Sequence, residues 1–380
     1  MMPGSTNSAA WVRTQSEPEL PAPLFSRGAF AWARANLFSS LSSSLLTILM
    51  LALALWCAPP LIEWATVKAI WSAPDGAACR AHQDGACWAF IAQKINYLRY
   101  GSYPVTERWR VGLTEILGAA LTVWLLWPGA RHRDIGAGLF FLVFPIVAFV
   151  LLDGWESLGL SHVDTLLWGG VFVTLVTALV GIVFSLPLGV LLALGRRSHL
   201  PVVRLASVIF IEFVRGVPFI TVLFMANNML PLFLPPGWEP DRFLRPLVGI
   251  ALFSAAYMAE EVRGGLQSLP GGQYEGAMAL GLHYRNMMRL VVLPQALVLV
   301  IPGIVNNFIG LFKDTTLVAI VGINDFLATM DNATKDTIWS GPTIQPTGYV
   351  FAASFYFVFC YAMSRYSASM ERRLGQARRR

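Results

Sequence analysis

The sequence predicts an all-α, polytopic membrane protein, and three observations carry that prediction. Of 380 residues, 56% are hydrophobic and only 13% charged, against about a quarter charged in a soluble domain. Mean hydropathy is +0.57. The apolar residues fall in long blocks with arginines gathered between them, each block near the roughly 20 residues that cross a bilayer core as helix. An open chain in hydrocarbon satisfies its backbone hydrogen bonds only as helix, so the blocks read as helices.

Residues 1–43 begin Ser-, Pro- and Ala-rich and read as a disordered cytoplasmic tail. The apolar run that follows starts too late and is too long for a cleavable signal sequence. Eight spans are expected, at about 44–66, 111–128, 136–152, 164–194, 203–230, 246–262, 291–311 and 348–365. The blocks at 164–194 and 203–230 are longer than a bilayer needs, so tilt, kinks or interfacial extension are expected there. The chain divides near residue 160. Segment 44–160 holds three spans and an aromatic, Trp-rich external loop at 67–110; segment 161–370 holds five spans and all the motifs below; 371–380 is a basic tail. No internal repeat is visible, and so no inverted-repeat signature of a secondary transporter.

Basic residues set the orientation. With both termini in the cytoplasm, that side receives Arg27 and Arg34, Arg131 and Arg133, Arg196, Arg197 and Arg204, then Arg263, Arg285, Arg289 and the tail from Arg365. The opposite loops at 153–163 and 312–347 carry more acidic than basic residues. The net charge of +6 then reflects arginines meeting anionic headgroups. Nucleic acid is not expected as a partner, because no basic run carries interleaved aromatics. Cys57 and Cys360 fall inside spans as packing residues. Cys79 and Cys87 share the first external loop with seven residues between them, a candidate disulfide in an oxidising compartment. Neither pair has the clustered ligands of a metal site.

The most informative segment is 264–294. Beyond Gly264 and Gly265 come a break at Pro270-Gly271-Gly272, a short helix from about Tyr274 to Leu280, Gly281 to end it, and a second short helix from about Tyr284 to Leu290 before Pro294. Glycine suits the position past a helix end because it accepts positive φ. Two short helices joined at a glycine make a compact knob able to dock in a partner's groove. Its pattern is Glu275-x-Ala277, three residues, Gly281, nine residues, then apolar-x-Leu-Pro294.

That pattern resembles the EAA loop of ABC importer permeases. IEFVRGVPFI (211–220), AYMAEEVRGGLQSLPGGQYEGAMALGL (256–282) and LPQALVLVIPGIVNNFIGLFKDTTLVAIVG (293–322) resemble the polar amino-acid branch, and the extra N-terminal spans resemble the long permease subunits of general L-amino-acid importers. Gly276 stands where the family pattern has Ala, weakening the helix by about 1 kcal/mol. The resemblance implies a type I importer permease of the bacterial inner membrane. It pairs with a sister permease, two copies of an ATPase and a periplasmic amino-acid-binding protein. Glu275, Gly276, Ala277, Gly281, Arg285 and Pro294 would form the ATPase-coupling loop. The four lysines, Lys68, Lys94, Lys313 and Lys335, all lack a preceding glycine, so a P-loop, and with it ATP and Mg, is expected on the partner chain.

Two polar clusters lie inside or beside spans, where ionisable groups are costly and often functional. Glu212 and Arg215, three apart before Pro218, read first as a mutually neutralised pair, with substrate contact and gating as alternatives. Asn306, Asn307, Lys313, Asp314, Thr315 and Thr316 offer both charges and amide and hydroxyl groups to an L-amino acid; a solvated start of a loop is the alternative. Rival readings are a secondary transporter, which requires an ion-binding acid in a broken helix, and a membrane-embedded enzyme, for which no HExxH, GxSxG or facing carboxylate pair is found.

Overall fold

The computed structural model describes residues 28–127 and 129–378, with side chains to Arg372. Residues 1–27 of the tail expected at 1–43 lie outside the described residues. The chain forms two compact units, divided after Lys68. The first carries α1 (Ala29–Asn36) and α2 (Leu41–Ile62). Ser40 caps α2, its Oγ accepting from the Ser43 N–H at 3.2 Å, so helix begins inside the stretch expected to be tail. Pro59 and Pro60 lie in its last turn, and one wide π turn, Glu63–Val67, follows.

The second unit opens with α3 (Ala77–Ala81) and α4 (Trp88–Tyr100). Cys79 and Cys87 are joined by a disulfide. Closing so short a loop is worth about 2–3 kcal/mol on the chain-entropy model. Next come α5 (Arg108–Leu126) and a return helix made of α6 (Arg133–Gly138), a π turn and α7 (Phe144–Asp153). The hairpin is tied at its open end: the Tyr103 hydroxyl donates to the Leu152 carbonyl at 2.7 Å. Buried Arg110 donates to the Ser161 carbonyl at 2.8 Å and pairs with Glu107 at 2.7 Å.

The remaining elements are β1 (Gly169–Gly170), α8 (Val171–Arg196), α9 (Pro201–Gly216), α10 (Phe219–Phe224), α11 (Leu244–Ser268), α12 (Gly271–Ala279), α13 (Tyr284–Met287), α14 (Leu293–Asp314), β2 (Asn324–Asp325), α15 (Phe326–Thr334) and α16 (Ile344–Arg378). The two short strands pair in parallel, Gly169 with Asn324 and Gly170 with Asp325. At the centre α11 packs against α8 and α14. Lipid tails are as apolar as Leu, so such helices associate by close packing and not by expulsion of water. Small residues allow it: a Cβ on Gly189 would sit 2.6 Å from Met258, and one on Gly265 2.6 Å from the Ala296 carbonyl.

The expected eight spans differ from what is seen. Among the described residues six helices are long and apolar enough to cross a membrane, or seven if α9 and the segment from Phe219 to Phe233 count as one. Those two meet at 109°, because Pro218 cannot continue the helix; hydropathy alone read 203–230 as one span. The segment expected at 246–262 is a 25-residue helix, α11, whose length is charged at both ends by Arg245 and by Glu260, Glu261 and Arg263. The span expected to start at 291 is continuous back to Tyr284.

Asp325 joins strand pair, helix and last span. It is fully buried, caps α15 by accepting from the backbone N–H of Ala328 at 2.9 Å and Leu327 at 3.1 Å, and accepts from the Tyr356 hydroxyl at 3.3 Å. Burial pushes its pKa from 3.8 to about 6, the hydrogen bonds opposing that shift. Because the folded value lies above the unfolded one, the resulting stabilisation is complete below about pH 4 and is lost as pH rises through about 6. Thermal unfolding in detergent should therefore gain up to about 3 kcal/mol from this group between neutral pH and about pH 4. In Asp325→Asn, which keeps the cap, that part of the profile should flatten; an unchanged profile would refute the assignment.

Candidate functional site

The knob has a defined local cause. α12 ends in the two hydrogen bonds of a Schellman motif: Gly281 N–H donates to the Met278 carbonyl at 2.9 Å and Leu282 N–H to the Ala277 carbonyl at 3.2 Å. Gly281 has φ +75°, which a Cβ disfavours by about 1–2 kcal/mol. The second half differs from expectation. α13 is not a separate helix; it passes through a π turn, Met288–Val292, into α14. Pro294 comes just after that π turn and has no N–H to donate, so the helical ladder lacks one bond there. The knob is thus one short helix, a glycine turn, and the start of a membrane helix.

One face of the knob is anchored. Ala277, Met287, Met288 and Val292 are buried in a cluster with Val262 and Leu266 of α11 and Ala296 of α14. The Tyr274 hydroxyl donates to the Leu266 carbonyl and receives from Arg197, the residue just past α8, both at 3.0 Å. Gln295 donates to Gln273 at 2.9 Å. The opposite face is open: Glu275 and Arg285 are exposed, as are Met278, Leu280 and Tyr284.

Beside the knob lies a charge cluster that differs from the expected Glu212–Arg215 pair. Glu212 pairs with Arg196 at 2.8 Å, and Arg215 lies 3.7 Å from Glu260. Sequence spacing considers partners on one helix only, and here better ones come from α8 and α11. Glu260 also takes Arg196 at 2.8 Å and Arg263 at 2.7 Å, so one carboxylate holds three guanidinium groups. The Arg215 guanidinium stands 5.5 Å from the Tyr257 ring centre. The i,i+3 spacing of Glu260 and Arg263 was the available signal; nothing in the sequence linked either to Arg196.

The second cluster lies at the far end of α14, and 20 helical residues separate Lys313 from the start of that helix, or about 30 Å. Lys313 and Thr316 line a cavity of about 310 Å³ with Tyr349 and Tyr356. Thr315 is buried and donates to the Phe312 carbonyl at 2.8 Å; Thr316 donates to the Lys313 carbonyl at 2.9 Å. Asn306 is exposed and Asn307 half-buried, with an amide nitrogen that has no partner. The structure thus brings Lys313 and Thr316 together, leaves Asp314, Asn306 and Asn307 outside their cavity, and sets Glu212 and Arg215 at the opposite end.

Comparison with known proteins gives the family. Residues 185–376 match the family described as binding-protein-dependent transport system inner membrane component. The chain belongs to that family. It is 48% identical to the inner membrane amino-acid ABC transporter permease protein YhdY of Escherichia coli, over 96% of this chain and 98% of that one. It is 39% identical to the glutamate/glutamine/aspartate/asparagine transport system permease protein BztC of Rhodobacter capsulatus, over 97% and 99% of the two chains. A crystal structure of an amino acid ABC transporter with histidines aligns at 29% identity over 54% of this chain and 92% of that one, with a TM-score of 0.47. Family membership implies a binding protein and an ATPase as partners, and with several apolar spans the chain is a multi-pass inner-membrane protein.

Two glycines of the knob should respond oppositely. A Cβ on Gly276 meets open space inside a helix, so Gly276→Ala should raise thermal stability by about 1 kcal/mol. Gly281→Ala, at positive φ, should lower it by about 1–2 kcal/mol. In the charge cluster, Glu260→Gln should cost about 2 kcal/mol, and Glu212→Gln, more than half exposed, no more than about 0.5 kcal/mol. Equal losses in the second pair would contradict the hub role of Glu260.

Proposed function

We propose that this chain is the membrane-spanning permease subunit of an ATP-driven importer for polar or general L-amino acids, working by alternating access. The observation that carries the proposal is the two-faced knob. Its inner face is locked to α8, α11 and α14, while its outer face presents Glu275, Met278, Leu280, Tyr284 and Arg285. Such a surface engages a partner ATPase at Met278 and Leu280 and transmits its movement to three membrane helices at once. ATP and Mg belong to that partner, two copies of which act on this chain and a sister permease. Knob and termini lie in the cytoplasm, and a periplasmic binding protein delivers the amino acid to the other side. The names of the two full-length relatives support the substrate class.

On this reading Lys313 supplies a cation for a substrate carboxylate near the external end of the path, in a cavity whose volume of about 310 Å³ is at the small end of ligand pockets. Glu212 and Arg215 instead belong to the packing of the coupling end.

A complex recovered from native membranes in mild detergent and placed in proteoliposomes should take up labelled glutamate or glutamine only with ATP on the ATPase side. Uptake driven by a proton gradient without ATP would favour a secondary transporter and refute the proposal. Gly281→Val should cut ATP-driven uptake at least tenfold while the complex still forms. Lys313→Ala should weaken uptake and shift the amino-acid profile, and full transport with an unchanged profile would remove Lys313 from the path.

A further inference from the structure

Between the α5–α7 hairpin and the core helices α8, α11 and α16 lies a cleft of about 1380 Å³. Its walls are apolar, with Val123, Phe149, Leu179, Leu252 and Phe359 among them. A void with such a lining forfeits dispersion contacts over its whole surface. It also gives water few hydrogen-bond partners, so its occupant is apolar. Magnitudes choose among apolar occupants. A helix about 10 Å wide crossing about 30 Å of hydrocarbon fills roughly 2,400 Å³, well beyond this cleft. A small-molecule site runs to about 300–1,000 Å³, well short of it. Flexible chains thinner than a helix fit.

The charged groups and the histidine of its lining lie at the end where α5, α8 and α11 begin and α7 finishes: Arg99, Glu115, Asp153, His162 and Asp241, the last already accepting from Thr165 and from the backbone N–H of Phe243 and Leu244. Glu115 engages Nε and Nη2 of Arg99, leaving the third guanidinium nitrogen for a further acceptor. The Asp153 carboxylate has His162 Nδ1 at 3.5 Å. The mouth therefore offers one cation and an incompletely engaged carboxylate. That suits a headgroup carrying both signs. A purely anionic headgroup would face three carboxylates, Glu115, Asp153 and Asp241, against one arginine.

We propose that this cleft is a phospholipid site that takes the acyl chains of a zwitterionic aminophospholipid, with its phosphate at Arg99 and its ammonium at Asp153. The site is separate from the knob and from the Lys313 cavity, and its test does not depend on transport. The full chain, delipidated in mild detergent, is titrated with phosphatidylethanolamine or phosphatidylglycerol and read by native mass spectrometry. A single-lipid adduct should appear at several-fold lower concentration for phosphatidylethanolamine. Ala119→Trp with Leu252→Trp, both in the cleft walls, should remove it while circular dichroism stays unchanged. Asp153→Asn should keep an adduct and lose the headgroup preference. An adduct that never forms, or that survives the tryptophans, overturns the proposal. So does a photo-crosslinker at position 119 that captures polypeptide in place of lipid in native membranes.

Discussion

The Glu260 carboxylate is shared by arginines of three helices, Arg196 of α8, Arg215 of α9 and Arg263 of α11, and the arrangement at the coupling end depends on it. Apolar helices in lipid gain little from associating by apolar contact alone, so a charged node at one end does much to fix which helices meet and in what register. The node is also continuous with the knob. Arg196 reaches Glu260 while the next residue, Arg197, reaches Tyr274 of α12. A displacement of α12 therefore reaches the end of α8 through two adjacent residues, without crossing a flexible linker.

The same helices are also held by shape. Gly189 and Gly265 let α11 approach α8 and α14 to distances that a methyl group would block. Interdigitated packing of this kind deforms in discrete steps and not continuously. At the far end the devices change again: a disulfide, a parallel strand pair and the buried cap Asp325. Charge and close packing at one end, and the disulfide, strand pair and buried cap at the other, clamp the helices at both ends.

What the sequence made legible follows from the range of the forces involved. Span positions were readable because hydrophobicity is a property of each residue, and the α12 stop was readable because a Schellman turn is made within six residues ending at Leu282. The Cys79–Cys87 pairing was a candidate because both lie in one short loop. Partners from distant helices left no such trace. Glu212 looked matched to Arg215 at i,i+3, yet Arg196, sixteen residues away, takes it. The hydroxyls of Thr315 and Thr316 donate to carbonyls three residues back, a choice the helix makes locally and composition does not reveal. A kink was expected in 203–230, but not one of 109°, because apolar residues flank Pro218 on both sides and read as one span.

On the proposed reading, coupling between the two ends runs through helix α14. It is continuous with the knob through residues 284–292 and ends at Lys313 and Asp314, so a stiff α14 would move both ends together. Its weak point is Pro302, which leaves one carbonyl of the preceding turn without its helical hydrogen bond. That point is not free. Glu261 of α11 lies against Gly303, its carboxylate within 2.2 Å of where a Cβ would stand, so bending α14 there means moving it against a side chain of the helix that also carries Glu260. The proline supplies compliance, and the neighbouring carboxylate restricts it. On the proposed reading, a displacement at the knob reaches the Lys313 end along this one helix, with Pro302 as the place where the ladder can give.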